Sequence, residues 1–446
     1  MASLSEPEPS GVELRKIALH DLKRVLAGHA RYVACRAGGL RANLKLCDLA
    51  HLDFTGCSLA GADLTGASLR SAILHDVDFQ RACLFGADLR EARLERSNLS
   101  EADLRGATLH GADMSRAVLA GADLRDGILM RQRNGDLTPA AEARRTRLSE
   151  ARLPGADLRR ARLSNALAMR TDLRDSDLRG AVCVRTDLSG SDLTGCNLEG
   201  ADLSEANLAG ARLAGAILNR TLLRATDLSA ADLLGALLDG ADLSSAVLNG
   251  AAMTRRLDGI EGQLAVVLRE HHQWIVSGGK SGRRADLSAI DLSTQDLSNV
   301  NLAAALLHHA VLKGANLSGT SLAMADLTLA DLRGAVLKGA DLRGASLERA
   351  TLTDANLDKA LLGPMKLQSG HDWHTKLVWA RLIRTRLSGT DLTGADLRGA
   401  DLTEASFRHA VLREANLSDT TCDQADFRDA DLVGADLSGA RHLRKG

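Results

Sequence analysis

The chain has 446 residues, 45% of them apolar but only 2% aromatic, with 5 prolines and 1 tyrosine. Lys and Arg number 56 against 57 Asp and Glu, a formal net charge of −1, so no global field draws the chain to nucleic acid or an anionic membrane. The apolar content excludes a disordered chain, and the scarcity of aromatics excludes an ordinary compact core of this size; such bias points to internal repeats.

The N-terminal stretch MASLSEPEPSGVELRK lacks the basic start and apolar run of a secretory leader. No run of some 18 apolar residues occurs. The 7 cysteines show no CxxC pair and no zinc spacing. A cytoplasmic protein with reduced thiols is expected.

Residues 1–43 form the first segment. Leu14, Ala18, Leu22, Val25, Leu26, His29 and Val33 recur at helical spacing. Ser10 and Glu13 form an S-x-x-E capping box, and Gly38-Gly39 close the segment. The pattern predicts an amphipathic helix within 10–36 that caps the structure following it.

From Leu44 to Met253 a large apolar residue recurs every fifth position: Leu44, Leu49, Phe54, Leu59, Leu64, Leu69 and onward. Two residues before each stands a small residue, most often Ala, and between them Asp or Asn. A period of five fits neither a strand nor a helix, in which the stripe would drift by about 140° per repeat. It requires a chain that turns a corner every five residues and points the large and small residues inward. Gly, frequent two residues after the Leu, permits the corner. Residues 130–147 (MRQRNGDLTPAAEARRTR) interrupt this segment and shift its phase, which predicts a loop bulging from the coil.

Residues 254–286 restate the opening design. Ile260, Leu264, Val267, Leu268, His271 and Ile275 share a helical face, Asp258 and Glu261 resemble a capping box, and Gly278-Gly279 stop the helix. The helix is expected over 258–277. The texts LxxHxxY…GGLRANL at 26–44 and LxxHxxW…GRRADL at 268–287 imply an internal duplication. A second periodic segment, 287–446, follows. Its irregular stretch 363–376 (GPMKLQSGHDWHTK) keeps the phase, so it replaces whole repeats.

The unit A(D/N)LXX, undiluted in GADLTGASLR and GADLRGADLT, resembles the pentapeptide repeat family over most of residues 40–440. The resemblance implies an all-β solenoid, a right-handed quadrilateral β-helix with four pentapeptides per coil. Two short amphipathic helices would cap or separate its two β-helical segments. It places Cys47, Cys57, Cys196, Cys183 and Cys422 inside as core filler. It also implies one alternative function, since some family members mimic duplex DNA and bind type II topoisomerases such as DNA gyrase. This chain departs from those members in its balanced charge and its short basic C-terminus, ADLSGARHLRKG.

No GxSxG, Walker, HExxH or dinucleotide motif is present. His371-Asp372-Trp373-His374 is the densest chemical cluster, but an i,i+3 histidine pair without a third ligand does not make a metal site. No cofactor, metal or catalytic residue is expected, and the leading reading is a non-enzymatic scaffold for a protein partner. The breaks in the repeat are the candidates for contact. Arg131, Arg133, Arg144, Arg145 and Arg147 give the first loop a basic surface for an acidic protein or nucleic acid. His371, Trp373, His374 and Trp379 give the second region aromatic anchors.

Overall fold

The structure, a computed structural model, describes residues 14–127, 130–133, 136–139, 144–254, 261–366 and 370–442. The chain divides into two compact units, Met1–Asp232 with Leu238–Ala251 and Leu233–Leu237 with Ala252–Gly446.

Both units are built by one local rule. At Leu203-Ser204-Glu205-Ala206, the Ala206 N–H donates to the Leu203 carbonyl (3.0 Å), and Glu205 sits at φ 59°. A positive φ at the third position is the signature of a type II turn. That turn bends the chain at every repeat and explains the preference for glycine there. The residue before each Leu pairs in parallel with the residue one coil away, as in Asp202↔Leu222 and Asp187↔Asn207. The Leu203 N–H donates to the Leu222 carbonyl (2.9 Å), and the Asp202 N–H to the Ala181 carbonyl (2.9 Å). Every coil thereby satisfies the backbone of its neighbours.

The first unit carries four such ladders, starting at Asn43↔Asp63, Asp48↔Ser68, Asp53↔Ile73 and Ser58↔Asp78. The second starts its four at Asp286↔Leu306, Asp291↔Val311, Asp296↔Asn316 and Asn301↔Ser321. The interior is the predicted one. Leu44, Leu64, Leu104, Leu203, Leu312 and Leu402 are fully buried, as are Ala62, Ala122 and Ala345. Each Leu contributes on the order of 2 kcal/mol of apolar burial. Phe407 and Phe427 stack in successive coils at 4.9 Å. Where Thr replaces Ala in the small slot its hydroxyl donates to a backbone carbonyl, one coil back from Thr226 to Leu203 (2.8 Å) and within the same coil from Thr390 to Leu387 (2.6 Å). Cys47, Cys183, Cys196 and Cys422 are buried as thiols and form no disulfide, and burial pushes the Cys183 thiol up to about 12.

Helix α1 (Leu19–Val33) begins later than the expected 10–36. The reason is that Arg15–Lys16, strand β1, pairs in parallel with Cys47–Asp48, strand β2. The first coil claims those residues as an added strand. Leu14 and Ala18 therefore precede the helix, and Ala18 is an N-cap without a side-chain bond. Ser10 and Glu13 lie outside the described residues.

The first interruption contains an antiparallel hairpin, β3 (Met130–Arg133) and β4 (Asp136–Pro139). Helix α2 (Glu261–Val276) agrees closely with the expected 258–277, and Asp258 lies outside the described residues. The Gly279 N–H returns to the Trp274 carbonyl (2.8 Å), the glycine stop anticipated from the sequence. The second interruption is pinned by strands β5 (Met365–Lys366) and β6 (Asp372–Trp373), also antiparallel.

Candidate protein-interaction site

The coil walls are chemically repetitive, and many of their charges are closed on themselves. The outward Asp of a repeat accepts the backbone N–H two residues on, and where that residue is Arg, the guanidinium grips the same carboxylate. Arg90 reaches Asp88 through Nε and Nη2 at 2.9 and 2.6 Å. Arg174 reaches Asp172 at 2.8 and 2.7 Å, and Arg343 reaches Asp341 at 2.9 and 2.8 Å. The hydrogen bond from Arg343 leads in holding Asp341 below the usual carboxylate range. For Asp172 burial pushes upward, and the bonds from Arg174 outweigh it. The corners add a second set of pairs one coil apart, including Arg81 with Glu101 (2.8 Å), Arg185 with Glu205 (2.8 Å) and Arg384 with Asp354 (2.7 Å).

The two interruptions break this uniformity by a shared device. In the first, Thr108 pairs with Arg147 where position 128 would follow, so 19 residues leave the coil. Gly127 and Arg144 close the exit with reciprocal bonds of 2.8 and 2.7 Å. The chain re-enters at Thr146, which is buried in a small inward slot. Its hydroxyl donates to the Arg125 carbonyl (2.7 Å) and accepts the Gly106 N–H (2.9 Å). In the second, Ser346 pairs with Lys376 where position 366 would follow, so ten residues leave. The chain re-enters at Thr375, buried likewise, which donates to the Leu342 carbonyl (3.1 Å) and accepts the Gly344 N–H (3.0 Å). Sequence reading missed both threonines. Each immediately precedes the residue that resumes the ladder, and that position was the available signal.

The predicted site residues fall into two separate groups. Arg131 and Arg133 lie in β3, in register with Thr138 and Asp136. Arg144 is half-buried at the loop closure and Arg145 is exposed. Arg147 stands in the ladder between Thr108 and Leu167. Of the neighbouring basic residues, Arg152 pairs with Asp113 (2.9 Å) and Arg159 with Asp157 (2.6 Å). The local excess of arginine in the sequence is thus partly neutralised, by a carboxylate of the neighbouring coil for Arg152 and by one of its own repeat for Arg159.

In the second group, His371 and His374 are exposed and Trp373 is 47% exposed. Gly344 lets this loop lie against the coil. A Cβ there would stand 2.9 Å from Trp373 Cδ1 and 3.1 Å from Met365 Cβ. His374 takes the corner above Gly394, whose added Cβ would meet its Nδ1 at 2.7 Å. Trp379 is at the next corner, φ 57°. It is half-buried, its ring laid over Gly399 at 2.8 Å from the place of a Cβ. Trp379 is therefore a wall residue of the regular coil, whereas Trp373 presents its ring to solvent. Among the described residues no group of three His, Cys, Asp or Glu side chains is arranged to hold a metal, and no helix is long and apolar enough to cross a membrane.

The model of pentapeptide repeats (8 copies) matches residues 47–86, 82–126, 144–182, 181–220, 221–255, 285–323, 296–334, 325–363, 375–413 and 405–441. The chain belongs to the pentapeptide repeat family. Its coils are the family's right-handed β-helix. Similar solved structures include HetL, a pentapeptide repeat protein involved in heterocyst differentiation regulation from the cyanobacterium Nostoc sp. strain PCC 7120. The likeness is 26% identity over 77% of this chain and 89% of that one, with a TM-score of 0.20. A trypsin-treated variant of QnrB1, a plasmid-mediated fluoroquinolone resistance protein, is 20% identical over 50% of this chain and 96% of its own, with a TM-score of 0.32. A thylakoid-lumen member from Arabidopsis thaliana is 37% identical over 26% of this chain and 66% of its own, with a TM-score of 0.18. No curated protein matches the sequence.

Proposed function

We propose that the protein is a non-enzymatic, cytoplasmic scaffold that holds a protein partner against the second interruption. The exposed ring of Trp373 carries this reading. It is fixed by β5 and β6 on the backbone of Gly344, in a chain that has only 3 tryptophans. A rigid aromatic with one face free is the usual anchor of a protein interface, and solenoids offer long stiff surfaces in place of clefts. His371 and His374 flank the ring, and the Arg144–Arg147 closure of the first loop is a separate basic surface suited to an acidic partner. The closed Asp–Arg pairs weigh against the DNA-mimic alternative, because mimicry of duplex DNA needs carboxylates left free to replace phosphates.

The experiment is a comparison of purified variants against a partner captured from the native cell. Trp373→Ala should weaken binding by about tenfold or more, the scale of an interface hot spot, with the thermal melt unchanged. Arg145→Glu should weaken, in a salt-dependent way, any acidic partner held at the first loop. A Trp373→Ala chain that binds as tightly as the parent removes the site, and the coil walls must then carry recognition.

A further inference from the structure

The two helices are docked by the same buried histidine. His29 on α1 is fully buried, and its Nδ1 accepts the backbone N–H of Ala42, the strand entering the first coil, at 3.1 Å. His271 on α2 is fully buried, and its Nδ1 accepts the N–H of Ala285 at 3.0 Å. Each imidazole stacks on the aromatic ring three residues on, Tyr32 and Trp274, at 5.7 Å in both. In each case Nε2 is buried outside strict hydrogen-bonding geometry, with the backbone of Ala60 acting on the ring of His29 and that of Ala303 on the ring of His271. The following residues are also equivalent: Arg41 donates to the Gly61 carbonyl and Arg284 to the Ala304 carbonyl.

This geometry works only for a neutral ring. An Nδ1 that accepts a backbone N–H has no proton of its own. Protonation would turn that acceptor into a donor facing a donor and place a cation in a buried site. The charged groups acting on the two rings are themselves cations, Arg41 on His29 and Arg284 on His271, so no carboxylate compensates.

We propose that each helix is held on its solenoid by a neutral-histidine latch that mild acid opens, so that both caps release over the same pH range. Burial leads in lowering the pKa of both imidazoles below the ordinary histidine value; the backbone of Ala60 and of Ala303 opposes it, Arg41 and Arg284 reinforce it, and the net direction is downward for both. The latched state therefore binds fewer protons than the released one. Latching is complete above a pH of about 6.5 and weakens as pH falls toward the lowered folded value. Within that window the release equilibrium rises by up to about tenfold per pH unit for each cap. For α2 the faces parted are Leu264, Val267 and Leu268 from the core that begins at Ala285 and Leu287.

Trp274 reports the event, because it stacks on the titrating ring. In a Trp373→Phe/Trp379→Phe chain it is the single tryptophan. Its emission should shift to the red and change in intensity between pH 7.5 and 5, reversibly. The same chain carrying His271→Gln, whose side-chain oxygen can accept the Ala285 N–H without titrating, should stay flat. An unchanged emission in the parent, or an equal shift in the His271→Gln chain, overturns the latch. If His271→Gln is already released at pH 7.5, carbon-13 histidine labelling of the parent decides. Resonances of His29 and His271 that titrate at or above the ordinary histidine value refute the proposal, and resonances that titrate below it together with cap release sustain it.

Discussion

Replacing Leu203 by aspartate tests the inward assignment of the whole repeat. Leu203 is fully buried in the middle of the first solenoid, and its positions one coil back and one coil on are Cys183 and Leu223, both buried. Truncating a Leu in such a site costs about 2–5 kcal/mol. A carboxylate there finds no donor and must take up a proton at neutral pH. A pKa raised by about three units adds roughly 4 kcal/mol. The sum, about 6 kcal/mol or more, is comparable to the full stability of an ordinary domain, so the coils around position 203 should not form. Asp202→Ala, one residue away, removes only the carboxylate that accepts the Ser204 N–H at 3.0 Å, worth about 0.5–1.5 kcal/mol. Urea denaturation followed by far-ultraviolet circular dichroism separates the two. Midpoints that agree within the error of the two melts would show that Leu203 does not face the core.

The corner geometry predicts opposite signs at two positions. Gly200 has φ 65° and nothing within 4 Å of an added Cβ, so Gly200→Ala should cost about 1 kcal/mol by conformation alone, while Ala230→Gly, which relieves φ 54°, should raise the melting temperature. Thr375→Val keeps the shape of the slot but leaves the Gly344 N–H without its 3.0 Å acceptor; a loss of about 1–3 kcal/mol is expected. The same variant should speed hydrogen exchange at Gly344 and weaken any partner bound through Trp373.

The sequence by itself determined which side chains enter the core and where the chain turns. A period of five leaves each Leu one place to go, and the type II corner follows from the position two residues later. The tripeptide Asp-Leu-Arg also contained its clip, since both ends are set by one local turn. The start of α1 was not legible, because helical spacing from Leu14 cannot reveal that Arg15–Lys16 will pair with Cys47–Asp48. Nor were the corner pairs that span an interruption, such as Arg384 with Asp354, or the seat of Trp373 on Gly344. These depend on which coil stacks on which, and interruptions of 19 and ten residues reset that register. Local periodicity fixes direction within a coil. Only the stacked backbone decides which residues, far apart in the chain, come to share a face.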